Sequence, residues 1–131
     1  MKIKNEIREK IIAHAQKEAP LEACGYLAGK GGVVVKHYAL TNIDKSEEHF
    51  SFDPKEQFET VRDARKSGLE VSAVYHSHPA SPARPSEEDR RLAYDPNISY
   101  VIISLAGGGV DVKSFRIAHS AVTPESIEIV E

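Results

Sequence analysis

Along residues 3–18 the apolar positions Ile3, Ile7, Ile11, Ile12 and Ala15 recur at intervals of three and four, with Pro20 just beyond. That is the spacing of one helix face, ended by a residue that cannot continue a helix. The period then changes. "LEACGYLAG" (21–29) reads as a buried strand, "KGG" (30–32) as a hairpin turn, and the β-branched "VVVKHYAL" (33–40) as a strand returning antiparallel. "NIDKSEEH" (42–49) is polar and reads as a solvated loop, with a short strand at Phe50–Phe52. Asp53-Pro54 then opens a second helix as N-cap and first helical residue, with Phe58, Val61 and Ala64 on its apolar side and Gly68 at its end.

"LEVSAVYHSH" (69–78) is the next strand. A loop carrying Pro79, Pro82 and Pro85 leads to a short helix from about Ser86 to Ala93. Strands 99–105 and 110–118 flank a "GGG" turn at 107–109, and a final strand covers roughly 122–130. Three helices and six or seven short strands, mostly joined by hairpins, give an α+β fold. Its sheet is mixed, curved and largely antiparallel, flanked by helices. At 131 residues the expectation is a single domain over 1–131.

Composition narrows the function classes. Apolar residues make up 40% and charged residues 28%, with a formal net charge of −3. That balance is ordinary for a globular protein and gives no basic footprint for nucleic acid. The opening "MKIKNEIREK" has no apolar stretch behind it and does not read as a signal peptide. "YVIISLAGGGV" is too short and glycine-rich to span a bilayer. The lone Cys24 has no internal disulfide partner, which fits a cytoplasmic location.

The unusual stretch is 76–89, "HSHPASPARPSEED". Side chains alternate along a strand, so Val74, His76 and His78 point the same way, and two imidazoles on one face suit a shared metal ion. Asp89, in the first turn of the following helix, offers a third, oxygen ligand. Two histidines and one carboxylate with an open fourth position form a catalytic type of zinc site; a structural zinc would call on several cysteines. Each residue also has a plainer reading. Ser86 and Asp89 fit a capping box, Glu22 fits a solvent-facing position at the start of a strand, and Cys24 fits a small buried residue.

His76-Ser-His78-Pro, then residues 79–85, then Ser86-Glu-Glu-Asp89, resembles the His-x-His-(seven)-Ser-x-x-Asp signature of the JAMM/MPN+ metalloproteases. "Glu22-Ala-Cys24-Gly25" resembles that family's early glutamate setting, and the order of helices and strands extends the resemblance over essentially the whole chain. The resemblance implies an MPN/JAB-type α/β sandwich in which His76, His78 and Asp89 bind zinc. It implies Glu22 as general base, and Ser86 as the hydroxyl that holds the attacking water or the oxyanion. A carboxylate beside a zinc site can take a proton at neutral pH and return it to the leaving amine.

The compact chain is similar to the stand-alone prokaryotic branch. The resemblance therefore implies a peptidase or isopeptidase acting after the C-terminal glycine of a ubiquitin-like sulfur-carrier protein ending in Gly-Gly, with release of cysteine as one form of the reaction. An extended tail is expected to add alongside the strand edge at 33–41 and the loop after it. Among rivals, a nucleobase deaminase needs Pro-Cys-x-x-Cys and a zincin needs His-Glu-x-x-His, and neither motif is present. A cysteine hydrolase built on Cys24 leaves the 76–89 spacing unexplained. The non-enzymatic alternative is a metal-free interaction domain in which the capping box and the histidine pair are structural.

Overall fold

The computed structural model describes residues 1–131. The chain opens with a strand, Lys2–Lys4 (β1), and only then enters the first helix, Asn5–Glu18 (α1). Ile3 keeps the helical spacing yet lies on β1, and its side chain joins Ile7, Ile11, Ile12 and Ala15 in one buried cluster. The apolar period is a buried face that crosses an element boundary. β2 (Cys24–Lys30) and β3 (Val33–Leu40) form the expected antiparallel pair, turning through Gly31 and Gly32 at positive φ. β2 starts at Cys24 and not at residue 21, so Glu22 precedes the strand. Phe50–Phe52 is not a strand; the segment makes one isolated bridge, Asn42 to Phe52.

The second helix, Pro54–Lys66 (α2), is capped by the Asp53 side chain as expected. Its packing differs from the apolar pattern. Thr60 and Ala64 are buried, while Phe58 is 67% exposed and Val61 39%. Polar tethers dock this helix: Glu56 accepts from Thr41, Asp63 from Tyr38 and Lys36, and Gln57 donates to Tyr26. Then follow β4 (Glu70–His78), α3 (Glu87–Leu92), β5 (Ser99–Ser104), a short 3-10 turn at Ala106–Gly108 and β6 (Asp111–Ala118). The expected final strand is two: β7 (Ala121–Glu125) and β8 (Glu128–Val130).

The strands form one eight-stranded sheet in the order β7-β6-β5-β4-β2-β3-β1-β8. Four ladders are antiparallel and three parallel, so the sheet is mixed and largely antiparallel. β7 and β8 sit at opposite ends of that order, yet only Ser126 and Ile127 separate them in the chain. A flat sheet of eight strands would hold its outer strands about 33 Å apart, whereas three peptide steps span at most about 11 Å. The sheet therefore curls until its ends nearly meet.

Alternation along β4 divides the sheet's two faces. Ala73 and Tyr75 face α1, within the larger cluster of Ile7, Ile11, Leu27, Val101 and Ile103, and His14 on α1 bonds the Tyr75 hydroxyl at 2.7 Å. Gly25, paired with Tyr75 across the β2–β4 ladder, leaves space for that ring; a Cβ there would collide with it and with the Tyr38 carbonyl. The other face carries Val74, His76 and His78, beside a smaller cluster of Ala83, Ile102, Phe115 and Ile117. β4 lies between β2 and β5, so the histidine strand has no open edge, and β3 is separated from it by β2. The strand edge at 33–41 is therefore not the immediate neighbour of the histidine strand, whereas the loop after it does reach the histidines, through Phe50 on His76. No helix is long and apolar enough to cross a membrane.

Candidate functional site

His76 and His78 are both buried on one face of β4, as alternation requires. Their Nε2 atoms stand 3.1 Å apart, and Asp89 Oδ2 lies 3.1 Å from each. The three atoms form a near-equilateral triangle. A tetrahedral zinc with bonds of about 2.0–2.1 Å separates its ligand atoms by roughly 3.3 Å, so the triangle already has the size of three corners of such a site. His78 Nδ1 lies 2.8 Å from the Pro82 carbonyl; in the neutral ring Nδ1 carries the proton and Nε2 a lone pair. That lone pair then faces a carboxylate oxygen, two acceptors that a cation between them would reconcile. His76, His78 and Asp89 thus form a group able to hold a metal ion.

Asp89 arrives in the triangle through its helix. Ser86 caps α3: its Oγ accepts from the Asp89 N–H and its own N–H donates to Asp89 Oδ2, a complete capping box. The capping box is therefore complete, and the oxygen that closes it, Asp89 Oδ2, is the one that faces both imidazoles. Burial raises the Asp89 carboxyl, but the imidazoles of His76 and His78 beside it and the Ser86 N–H outweigh this and hold it well below the usual carboxylate range. Burial likewise pulls His78 down, while Asp89 and the Pro82 carbonyl carry it above its ordinary value.

Glu22 is 3% exposed, which removes the solvent-facing reading. Its Oε1 has no protein hydrogen-bond partner. Burial pushes its carboxyl up to about 8; His78 opposes that shift, and Asp89, Glu88 and Glu48 reinforce it. A buried acid with a free oxygen, near two groups of the triangle, has the protonation range of a neutral-pH acid–base. Cys24 sits opposite His76 in the β2–β4 ladder, fully buried. Burial pushes its thiol up to about 12, which keeps it protonated and weakens the cysteine-hydrolase reading.

Sequence reasoning missed three supporting residues. Phe50 stacks on His76, with ring centroids 4.8 Å apart. Ser77, turned away from the histidine face, accepts from the Ala23 N–H at 2.7 Å and donates its own N–H to the Ala23 carbonyl at 3.0 Å. Asn42 donates to the Glu22 carbonyl. Strand alternation marks Ser77 as facing the opposite side, whereas no local motif marks Phe50 or Asn42. Beside the triangle opens a cavity of about 490 Å3, lined by Tyr26, Phe50, Phe52, Leu92 and Tyr94 and also by His76 and Asp89.

Residues 4–118 match the family of prokaryotic homologs of the JAB domain. The CysO-cysteine peptidase of Mycobacterium tuberculosis is 34% identical over 132 residues, covering 98% of this chain and 90% of that protein. A probable TtuB-protein conjugate cleaving protease of Thermus thermophilus is 34% identical over 100 residues, 76% of this chain and 66% of that one. The solution structure of protein DSY2949 from Desulfitobacterium hafniense superposes with a TM-score of 0.89 at 46% identity, covering 99% of this chain and 92% of that one. The chain therefore belongs to the prokaryotic JAB-domain family, the stand-alone branch of the JAMM/MPN proteins, and is a hydrolase of the JAMM type.

Proposed function

We propose that this protein is a zinc-dependent peptidase or isopeptidase that cleaves the bond after the C-terminal glycine of a ubiquitin-like carrier protein. The observation that carries the reading is the triangle of His76, His78 and Asp89 beside the buried Glu22. In this reading those three residues hold the ion. When bound, the ion would supply Lewis acidity to a water and to the scissile carbonyl. Glu22, buried and with Oε1 free of protein partners, takes the proton of the attacking water and hands it to the leaving amine. Ser86 spends an oxygen lone pair on the Asp89 N–H, which leaves its hydroxyl proton to donate to the developing oxyanion.

Two observations support this substrate class: the relatives and the shape of the site. The Mycobacterium and Thermus relatives are named for CysO-cysteine and for TtuB conjugates. The apolar-lined cavity beside the triangle suits an extended tail, and residues without a Cβ let that backbone approach the histidines closely. The test offers three substrates: a small β-grasp carrier ending in Gly-Gly plus one residue, its Ala-Ala counterpart, and an unstructured peptide of the same tail sequence. Cleavage confined to the first supports the reading. Equal cleavage of all three makes the protein a general peptidase, and no cleavage by the metal-loaded protein removes carriers from its substrates.

A further inference from the structure

Glu22 lies before β2, so the sheet ladder does not hold it. Its place is set by contacts from elsewhere. The Glu22 N–H donates to the Ser46 carbonyl at 2.9 Å, and the Glu22 carbonyl accepts from Asn42 Nδ2 at 3.1 Å. The next residue, Ala23, is fixed to β4 by its two bonds with Ser77.

Asn42 is buried, and its carboxamide makes four bonds. Nδ2 donates to the carbonyls of Glu22 and His49, at 3.1 and 3.0 Å; Oδ1 accepts from the N–H groups of Asp44 and Ser51, at 3.1 and 3.3 Å. Two acceptors meet the amide nitrogen and two donors meet the oxygen, so a flipped carboxamide would oppose like groups at all four contacts. One side chain thus ties the backbone of Glu22 to segment 42–52, the same segment whose Phe50 ring lies on His76. No other residue type supplies both pairs of bonds from one planar group of this length.

We infer that Asn42 is a positioning residue for the reaction, holding the backbone of Glu22 so that its carboxylate stays in register with the histidine–aspartate triangle. The inference rests on the reading of Glu22 as the acid–base. Misplacement of a reacting group by about 1 Å costs on the order of 10²-fold in rate without removing any group that touches substrate.

The substitution Asn42→Asp keeps the Oδ1 acceptor and the shape but removes both donors. The expected result is a fall of roughly 10- to 100-fold in kcat, with KM and metal content unchanged and faster hydrogen exchange at the Glu22 amide. Placed in a Glu22→Gln background, Asn42→Asp should lower kcat little further, because the group it positions is already gone. Asn42→Ala, measured in the same cycle, serves if the aspartate variant does not fold. A full-sized additional loss in the Glu22→Gln background, loss of metal, or an unchanged kcat in the single variant overturns the inference. If Glu22→Gln itself stays near wild-type turnover, the acid–base reading fails separately; an activity loss in Asn42→Asp alongside it would show that Asn42 does not act through Glu22.

Discussion

Ser86 and Asp89 exchange two hydrogen bonds within one helical turn: the Asp89 N–H donates to Ser86 Oγ at 3.0 Å and the Ser86 N–H donates to Asp89 Oδ2 at 2.9 Å. The oxygen that completes the cap is the one that stands 3.1 Å from both imidazoles. The helix start and the candidate metal site therefore share an atom. The cap fixes where the carboxylate points before any ion arrives, and a change at Ser86 acts on both.

Replacing Ser86 by alanine removes the cap and the free hydroxyl proton together. Stability should fall by about 1 kcal/mol, and kcat by roughly 10²–10³, the size of one lost oxyanion donor. Denaturant titration and steady-state kinetics on the same preparation separate the two effects. A stability loss with unchanged kcat reduces Ser86 to a cap.

His78→Ala removes one corner of the triangle and leaves the strand intact. Elemental analysis after gentle purification should give about one zinc per chain for the wild type, in keeping with a three-residue site that keeps one position open, and close to none for the variant. Equal metal in the two proteins defeats the ligand assignment.

Glu22→Gln should retain the metal and lose about 10²–10⁴ in turnover. It also carries a pH signature in chelator-treated protein. The folded carboxyl is raised from 4.5 to about 8, so the native state binds this proton more tightly than the unfolded chain does. The corresponding stability is complete below pH 4.5 and is lost as pH rises through about 8. Urea midpoints of the metal-free wild type should fall across that window relative to Glu22→Gln. Parallel profiles would show that burial does not raise Glu22.

Much of the site was legible because its geometry is local. Two histidines on alternate positions of one strand must share a face, and a carboxylate three residues past a helix cap must point back toward the helix start. The triangle needs little beyond those two facts and the turn between them. Glu22 and its holder Asn42 are different. They lie just beyond the ends of the β2–β3 hairpin, where Asn42 also gathers the 44–51 loop, and no apolar period encodes a side-chain contact of that kind. The same division holds for the fold. The β2–β3 hairpin follows from a turn signal between apolar runs, whereas β1 was hidden inside a helical period because Ile3 is buried either way. The break between β7 and β8 escaped for a related reason: both are short and mostly exposed, and only pairing at opposite ends of the sheet tells them apart.

That pairing orders events in time. The β1–β8 ladder joins Lys2 to Glu128 and Lys4 to Val130, so it closes nearly the whole chain into a loop, and contacts of such separation carry the largest closure entropy. The histidine strand is assembled from partners much nearer in sequence. During synthesis the ladder from β2 to β6 can form while β8 is still to be made, leaving β1 and the Ile3 side chain without their outer neighbour until the end. The ladder that joins the first strand to the last needs residues 128–130 and lies apart from the histidines in the strand order, so in a nascent chain every residue of the triangle is available before the curled sheet can be completed.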